Sequence, residues 1–370
     1  MSPRASTTEM PAIERLEPSV LVIPTPAPES DGTLVWDHTT MVIVEVAAAG
    51  AHGLGYSYTH AAAAAVIEQT LADIVVGTSP LAHTHTWMEM RRALRNAGTG
   101  GIAAGAISAV DMAIWDLRAQ MLDLPLVSVL GAVRASVPAY GSGGFTSYSI
   151  AELEKQLSGF AAAGMGAVKM KVGREPARDV ERMAAARAAL PAGVELYIDA
   201  NGAYRRKQAL SVADRASVLG VTWFEEPVTS DDHEGLRVVR DGAASGVRIA
   251  AGEYIYAPEH AGPYVIGGAV DVLQADVTRC FGVTGFLRIA AMAEAFNLPL
   301  SAHTAPAAHI HLGCALPAVI SLEHFVDHVR IEEMLFDGAR APVAGNLSPD
   351  LSRAGMGISL RRTEAARFAA

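Results

Sequence analysis

Short apolar runs alternate with longer helical patterns along most of this chain, and the alternation becomes regular after residue 137. Before that point, apolar runs at 20–23 and 41–46 predict two strands. The spacing of apolar residues predicts helices at 61–76, 85–96 and 104–122. A Pro-rich stretch at 24–31 and a Gly-rich stretch at 52–60 are predicted to be loops. Residues 1–132 are therefore expected to form a small α+β domain.

From residue 137 onward, strand-like runs and helical windows repeat roughly every 20–30 residues, which is typical of a (β/α)₈ barrel. The predicted strands are at 137–140, 167–172, 195–199, 222–226, 249–251, 272–275, 298–302 and 318–322. Residues 133–328 are expected to form this barrel. Residues 329–370 lose the rhythm and are expected to fold back onto the first domain.

Composition excludes several classes of function. The chain has 370 residues, 51% of them hydrophobic, and a formal charge of −10 with no basic block, so neither nucleic acid nor an anionic membrane is an expected partner. No apolar stretch approaches the ~18–20 residues of a membrane helix. Cys280 and Cys314 alone form no disulfide framework, which fits a reducing cytoplasm. We expect a cytoplasmic enzyme.

Nearly every strand-like run of the predicted barrel ends in a polar residue. In such barrels the chemistry lies at the carboxyl ends of the strands. Each residue alone would be explained as a helix cap or a turn, but their common position in consecutive repeats favours one shared site. The residues are Ser142, Lys169, Lys171, Asp199, Glu225, Glu253, Asp276, His303 and Glu323.

Three consecutive repeats supply the carboxylates of Asp199, Glu225 and Glu253. Three carboxylates at one point would repel strongly unless a cation lay between them. Oxygen ligands without Cys or His favour a hard cation, Mg²⁺ before Ca²⁺ or Zn²⁺. Three further polar residues lie near these ligands or near Asp276 in sequence and are expected to support the site. They are Asn201, Glu226 and Arg279.

Two candidate proton carriers flank the carboxylates in strand order. Lys169 and Lys171, two of only four lysines, alternate in one run and should share one face of a strand. Lys169 and a divalent cation are expected to lower the pKa of Lys171 toward neutrality. On the other side, Asp276 is expected to orient the imidazole of His303. Two bases facing each other across a metal suit proton removal from the carbon next to a carboxylate. Glu323, if protonated, would then hold the enediolate.

Six short motifs, in this order, resemble those of the mandelate racemase subgroup of the enolase superfamily. They are Lys-Met-Lys at 169–171, Asp-Ala-Asn at 199–201, Glu-Glu-Pro at 225–227, Gly-Glu at 252–253, Asp276 with Arg279, and Ser-Ala-His at 301–303. Segments 109–117 and 124–131 resemble the helix and turn before that family's barrel. The resemblance implies a modified TIM barrel, (β/α)₇β, with an α+β capping domain built from the N-terminal region and the C-terminal tail.

The resemblance also implies roles for the site residues. It assigns one Mg²⁺ per subunit to Asp199, Glu225 and Glu253. It makes Lys171 and the His303–Asp276 pair the acid and base groups on opposite faces of the substrate. It implies that Lys169 and Ser142 bind the substrate carboxylate and that Glu323 binds the enolate oxygen. Relatives are commonly dimers or octamers, so a homo-oligomer is expected.

One residue departs from the family pattern, and the capping loops leave the substrate open. Phe281 stands where relatives usually have Gly, and its ring is expected to narrow the pocket near the sixth barrel strand. The family closes its site with capping loops, here expected at 24–33 and 52–60. Tyr56, Tyr58 or His60 would then contact the distal end of the substrate, although an ordinary polar loop explains them equally well.

Family members with both a Lys and a His–Asp base divide mainly between acid-sugar dehydratases and racemases or epimerases, with some lactone cycloisomerases. We favour dehydration of a sugar acid to a 2-keto-3-deoxy acid because most sites of this composition resemble dehydratases and the distal loop is polar. The same residues would serve a racemase, epimerase or cycloisomerase.

Two other functional classes are alternatives to this family. A zinc-dependent barrel hydrolase uses a His-x-His pair, and the chain has such pairs at 83–85 and 309–311. Both pairs lie in helical windows, where exposed or capping histidines are expected instead. A catalytically silent binding protein on the same scaffold is disfavoured because every acid and base position is filled.

Overall fold

The first part of the chain folds into a three-stranded antiparallel sheet backed by helices. The computed structural model describes residues 11–370. The strands are β1 (Arg15–Ser30), β2 (Val35–Ala48) and β3 (Ala51–Tyr58). The helices are α1 (Ala62–Val66), a π-helical turn (Ile67–Leu71), α2 (Ala72–Val75), a 3₁₀ turn (Pro80–Ala82), α3 (His83–Leu94) and α4 (Ile102–Met121). Alternate β2 residues, including Val42, Val44 and Val46, pack in one core with α4, as period-2 patterning requires.

The two stretches predicted to be loops lie mostly in strands, so that prediction is wrong. β1 runs through Pro24 to Ser30, with a shift in its pairing to β2 between Pro24 and Glu29. The sheet order β1-β2-β3 makes β1 an edge strand, where prolines are tolerated because one row of N–H groups needs no partner. The Gly-rich stretch is β3.

The second part is a closed barrel of eight parallel strands. The strands are β4 (Val137–Ser142), β5 (Ala167–Lys171), β6 (Glu195–Asp199), β7 (Val221–Glu225), β8 (Arg248–Ala251), β9 (Val272–Ala275), β10 (Leu300–Ala302) and β11 (Val319–Phe325). Neighbours in sequence pair in order, and β11 pairs with β4 to close the ring. Every predicted barrel strand is present, within three residues at each end.

Helices pack around the outside of the barrel. α5 (Leu126–Leu130) precedes it. The surrounding helices are α6 (Ile150–Ala162), α7 (Asp179–Ala189), α8 (Arg206–Val218), α9 (His233–Gly242), a 3₁₀ turn (Pro258–Ala261), α10 (Gly262–Val265), α11 (Gly282–Ala295) and α12 (Pro306–Ala315). α6 begins with a capping box, in which Ser149 accepts from the Glu152 N–H and Glu152 accepts from the Ser149 N–H.

The C-terminal segment returns to the N-terminal sheet. It comprises α13 (Val326–Leu335), β12 (Phe336–Asp337), β13 (Asn346–Leu347), β14 (Ser359–Leu360) and α14 (Arg362–Ala365). The Val22 N–H donates to Phe368 O over 2.9 Å, and Arg362 forms an ion pair with Glu45 at 2.6 Å. The predicted fold, a modified TIM barrel with an α+β cap completed by the tail, is confirmed. The boundaries at 132 and 328 stay predictions, and α13 crosses the second.

Helix α4 joins the cap to the rest of the molecule through two buried carboxylates. Asp111 accepts hydrogen bonds from the Thr284 N–H (2.9 Å) and hydroxyl (2.7 Å) at the start of α11. Asp116 accepts from the N–H groups of Leu54 (2.8 Å) and Met356 (2.6 Å). Within residues 11–370, no helix has both the length and the apolarity needed to cross a membrane.

Candidate active site

The polar residues singled out in the barrel repeats converge at the carboxyl-terminal mouth of the barrel. Lys171, Asp199 and Glu225 are the last residues of adjacent strands and lie side by side in the ladder. Glu253 follows β8 after Gly252, whose φ of +134° strongly favours glycine. A Cβ at Gly252 would lie 2.2 Å from Gln274 O, so only glycine brings Glu253 to the mouth in this way.

The carboxylates of Asp199, Glu225 and Glu253 form a buried cluster suited to a metal ion. Each offers an oxygen, and these oxygens all lie within 4.8 Å of one another. Burial and then the charge of Asp199 raise the pKa of Glu225 to about 8. A cation bound between the carboxylates would favour the ionised form and lower this pKa. Glu253 Oε2 has no hydrogen-bond partner among the described residues. An all-oxygen donor set with a free lone pair fits Mg²⁺.

Lys169 and Lys171 both point into the barrel, as their alternation predicts. Lys171 Nζ lies 2.5 Å from Asp199 Oδ2, and Lys169 Nζ lies 2.5 Å from Glu225 Oε1. Between them, Met170 is buried in the hydrophobic core on the other face of β5. Burial and Lys169 lower the pKa of Lys171, but the charges of Asp199, Glu225 and Glu253 together outweigh them, so the pKa is raised. The predicted depression toward neutrality is therefore absent with Asp199 in direct contact.

His303 faces the carboxylate cluster from the other side of the mouth. Its Nδ1 lies 2.9 Å from Asp276 Oδ2, and its Nε2 lies 3.3 Å from Glu253 Oε2. Asp276 is itself held by the Thr278 N–H (2.7 Å) and hydroxyl (2.8 Å), which donate to Oδ1. Burial lowers the pKa of His303, but Glu253 and Asp276 raise it to about 10. The arrangement directs Nε2 toward the cluster and away from Asp276.

Glu323 binds the residues predicted to hold the substrate carboxylate. Ser142 Oγ donates to Glu323 Oε1 over 2.6 Å, and Lys169 Nζ lies 2.8 Å from the same oxygen. Burial raises the pKa of Glu323, but Lys169, His303 and Lys171 together lower it to about 2. The carboxyl group is therefore ionised in this arrangement, so the condition under which Glu323 would donate to an enediolate, a protonated carboxyl group, is not met here. Ser142 and Lys169 are both fully buried behind Glu323.

The three predicted supporting residues lie at the site. The Asn201 N–H donates to Asp199 Oδ1 over 2.9 Å. Arg279 Nη1 lies 3.2 Å from Glu253 Oε1, and Arg279 Nε lies 3.5 Å from Asp276 Oδ2. Glu226 is buried, and its Oε1 has no hydrogen-bond partner within the described part of the chain. Asn201 and Glu226 have φ values of 46° and 38°, a strained conformation that clusters at functional sites.

A cavity of about 420 Å³ lies between the barrel mouth and the cap. Its inner wall includes Lys171, Glu253, Arg279 and His303. Its outer part, here called the distal wall, is formed by lining residues from 31–40, 58–60 and 325–328. A cavity of this size takes a small organic acid.

The three cap residues predicted to contact substrate differ in position. His60 and Tyr58 line the cavity. The Tyr58 hydroxyl points to Glu332 and the His328 carbonyl, each at 3.5 Å, so Tyr58 presents its ring. Tyr56 is fully buried and donates to Glu332 over 2.7 Å, away from the cavity. Tyr56 lies on the same face of β3 as Tyr58, but its ring packs against Phe336 and its hydroxyl is bonded to Glu332, so it does not line the cavity and the prediction for Tyr56 is wrong.

Sequence reasoning missed several residues of the cavity wall. They are Asp31, Trp36, Tyr254, Asp327 and His328. Tyr254 directly follows a proposed metal ligand, so its position was a usable signal. Asp327 and His328 follow the last barrel strand, as the other site residues follow theirs. Asp31 lies in the capping segment predicted at 24–33, so its position was a usable signal, whereas Trp36 lies beyond that segment and carries no sequence signal.

Phe281 does not narrow the pocket, and that prediction is wrong. Its ring is fully buried in the core of the cap, 6.0 Å from the Trp87 ring in an edge-on arrangement. Its φ of 66° explains why glycine suits this position.

The His-x-His pairs are structural. His309 accepts from the Val277 N–H (2.9 Å) through Nε2, and its Nδ1 contacts Thr304 O at 2.8 Å. His311 accepts from the Val127 N–H (3.2 Å) and contacts Met356 O at 2.9 Å. Both are buried, so the expectation of exposed or capping histidines is wrong for this pair, but all four of their ring nitrogens are used and none is free for zinc. In the other pair His83 is buried, with Nδ1 3.3 Å from Arg118 Nη1, whereas His85 is exposed as expected. Of the residues described, the one group of this kind able to hold a metal is the Asp199 cluster.

Comparison with known families decides the classification. Residues 20–131 match the sequence model of the mandelate racemase / muconate lactonizing enzyme N-terminal domain, and residues 152–365 match that of the enolase C-terminal domain-like family. The chain belongs to the mandelate racemase subgroup of the enolase superfamily. The predicted family is confirmed.

Relatives in this subgroup differ in reaction. The chain is 34% identical to 3,6-anhydro-alpha-L-galactonate cycloisomerase of Streptomyces coelicolor, over 82% of this chain and 86% of the relative. It resembles the crystal structure of L-talarate/galactarate dehydratase from Salmonella typhimurium (TM-score 0.91, 28% identity, covering 100% of this chain and 95% of the other). A mandelate racemase/muconate lactonizing enzyme-like protein from Rubrobacter xylanophilus is more similar still (TM-score 0.95, 50% identity, covering 97% and 100%). Relatives thus include sugar-acid dehydratases, cycloisomerases and epimerases, and related structures carry bound magnesium.

Proposed function

We propose that the protein is a Mg²⁺-dependent enzyme that removes the proton α to the carboxylate of a sugar acid and then eliminates the β-hydroxyl, giving a 2-keto-3-deoxy acid. One observation carries the proposal. Three buried carboxylates lie within 4.8 Å of one another, with Lys171 on one side and the His303–Asp276 pair on the other.

Asp199, Glu225 and Glu253 would hold one Mg²⁺. When bound, this ion would stabilise the negative charge that an enediolate acquires. It would also take Asp199 as a ligand and so remove the main cause of the raised pKa of Lys171. Glu226, Asn201 and Arg279 would keep the ligands in place.

Lys171 and His303 would share the proton transfers. Elimination needs one group to take the α-proton and another to protonate the departing hydroxyl, and the two lie on strands separated by the metal-ligand strands. Asp276 positions His303 by accepting from Nδ1, so Nε2 is the nitrogen that meets substrate. Lys169 and Ser142 contact Glu323 and do not line the cavity themselves, so their predicted role in binding the substrate carboxylate stays a prediction.

A cycloisomerase is the second candidate. The 34% identity to 3,6-anhydro-alpha-L-galactonate cycloisomerase favours it, and the same acid and base groups would serve. An epimerase uses these groups as well. The predicted homo-oligomer, dimer or octamer, stays a prediction that light scattering tests, as does the predicted cytoplasmic location.

The deciding experiment incubates a panel of sugar acids with the enzyme and Mg²⁺ in D₂O. Proton NMR follows exchange at the α-carbon, and a keto-acid assay follows dehydration. Exchange with keto-acid formation supports the dehydratase; exchange without it indicates an epimerase; an isomer without loss of water indicates a cycloisomerase.

Two variants test the residues. Lys171→Ala should abolish turnover, and Lys155→Ala, an exposed lysine on α6, is its control and should leave it intact. Turnover that survives Lys171→Ala contradicts the proposal.

A further inference from the structure

The two ends of the cavity differ in charge. Lys171 and Arg279 lie at its inner end, beside the carboxylate cluster. On the distal wall the charged side chains are acidic, from Asp31 and Asp327, apart from histidines. Among residues 11–370, no lysine or arginine other than Lys171 and Arg279 lines this cavity.

An arginine beside the distal wall is already paired. Arg330 Nη2 lies 2.6 Å from Asp327 Oδ1 and donates to Pro24 O over 3.1 Å. The other oxygen of Asp327 accepts from the Thr39 hydroxyl over 2.5 Å. Arg330 is therefore the counter-charge of a buried carboxylate and lies outside the cavity wall. Arg174, whose Nη1 donates to Leu34 O over 3.4 Å, does not line the cavity either, so no guanidinium of the described residues belongs to the distal wall.

Neutral groups complete the distal wall. The His328 ring stacks on the Tyr58 ring, with centroids 3.5 Å apart and an interplanar angle of 18°. Burial lowers the pKa of His328 to about 3, so the ring is uncharged, and its Nδ1 lacks a hydrogen-bond partner in the described chain. His60 Nδ1 accepts from the Ala62 N–H over 3.0 Å, which leaves Nε2 as a possible donor. These groups suit hydroxyls and a sugar carbon face.

We propose that the distal end of the substrate carries no charge, so that the enzyme acts on sugar monocarboxylates (aldonates or their anhydro forms) and rejects the dicarboxylates (aldarates). This rests on the proposed sugar-acid function. One carboxylate is satisfied at the inner end by the metal cluster and its cations. Arg330 offsets the charge of Asp327, but a second carboxylate would be desolvated next to the carboxylate of Asp31, and no lysine or arginine described at the distal wall would compensate this repulsion.

Matched pairs of acids test this directly, because D-galactonate and galactarate, or D-gluconate and glucarate, differ only at the distal carbon. We expect kcat/KM to favour the monoacid of a pair by at least about tenfold, which corresponds to about 1.4 kcal/mol of charge repulsion against the diacid. Calorimetry with the Lys171→Ala variant and Mg²⁺ measures the same preference in binding, without turnover. A diacid that binds or reacts as well as its monoacid overturns the proposal.

Two variants assign the discrimination to the distal wall. Asp31→Asn keeps the Oδ1 acceptor used by the Thr33 and Leu34 N–H groups and removes only the charge. Asp327→Asn also frees Arg330. Each should shift the monoacid-to-diacid ratio toward the diacid several-fold, and Asp241→Asn, on the outer helix α9, should not. An unchanged ratio in both variants refutes the assignment. If no sugar acid of either charge binds or exchanges its α-proton, the proposed function fails, and this inference fails with it; a preference for diacids overturns this inference alone.

Discussion

Trp87 Nε1 donates a hydrogen bond to the backbone carbonyl of Phe281 over 2.9 Å, and this contact joins the cap to the loop that carries Asp276. Phe281 lies five residues beyond Asp276, at the start of α11. Arg91 lies over both rings, at 4.6 Å from the Trp87 centroid and 5.0 Å from that of Phe281. Phe281, which departs from the family pattern, thus connects the cap to the barrel through its contacts with Trp87 and Arg91.

Phe281→Ala should destabilise the protein by about 3–5 kcal/mol, because a fully buried ring is lost. Phe281→Gly should cost about 1 kcal/mol less than Phe281→Ala, although it removes one more carbon, because glycine relieves the positive φ. Chemical denaturation of both variants measures the difference. Since Phe281 lies outside the cavity, substrate preference should not change; a changed preference would show that the ring reaches the substrate after all.

The barrel and its site were predictable from the sequence because both follow from local periodicity. Strand alternation placed Lys169 and Lys171 on one face, and a common position in successive repeats placed Asp199, Glu225 and His303 at one end. Such inferences need no knowledge of contacts between distant parts of the chain.

The cap and the charge states were not predictable in the same way. Whether Tyr56 or Tyr58 faces the cavity depends on the register of β3 against its neighbours and on Glu332, which lies 276 residues away from Tyr56 in sequence. The ionised state of Glu323 depends on Lys169, which arrives from a different strand. Long-range packing decides both, and no local pattern encodes it.

Asp276→Asn should lower kcat by about 10²–10⁴-fold with little effect on folding, because the amide no longer accepts reliably from His303 Nδ1 and the imidazole loses its orientation. Steady-state kinetics and α-proton exchange measure the loss, and the pH–rate profile should shift to lower pH as the pKa of His303 falls. Asp214→Asn, an exposed carboxylate on α8, is the matched control. Wild-type exchange in Asp276→Asn would contradict a positioning role.

Asp199→Asn should weaken Mg²⁺ binding by more than about 100-fold, since it removes one of three ligands, and chelation of the wild type should abolish activity. Mg²⁺ at 100 times its Kd should stabilise the wild type by about 2.7 kcal/mol, and a raised melting temperature would show this. Glu226→Gln keeps all three ligands and should lose only about 10–100-fold in affinity. Equal losses in the two variants would mean that Glu226 is itself a ligand.

Glu332 should make the stability of the protein fall as the pH rises from about 4.5 to about 8. It is buried, and burial raises its pKa to about 8, against the lowering effect of hydrogen bonds from Tyr56 and Ala307. A carboxyl group whose pKa is raised on folding stabilises the native state fully below about pH 4.5, and this contribution is lost as the pH rises through about 8. Between these two pH values the loss should amount to about 1.4 kcal/mol per pH unit, and above about pH 8 it should level off because both states are then ionised.

Glu332→Gln removes the titration and keeps a group of the same shape, so its free energy of unfolding relative to the wild type should rise between about pH 5 and pH 8 and then level off. Urea denaturation at several pH values measures the slope. Glu333→Gln is the control, because Glu333 is next to Glu332 on the same helix and its side chain is exposed. If the two glutamine variants differ from the wild type by the same amount at every pH, Glu332 is ionised throughout the range, and the hydrogen bonds from Tyr56 and Ala307 are strong enough to hold a buried carboxylate without a cation.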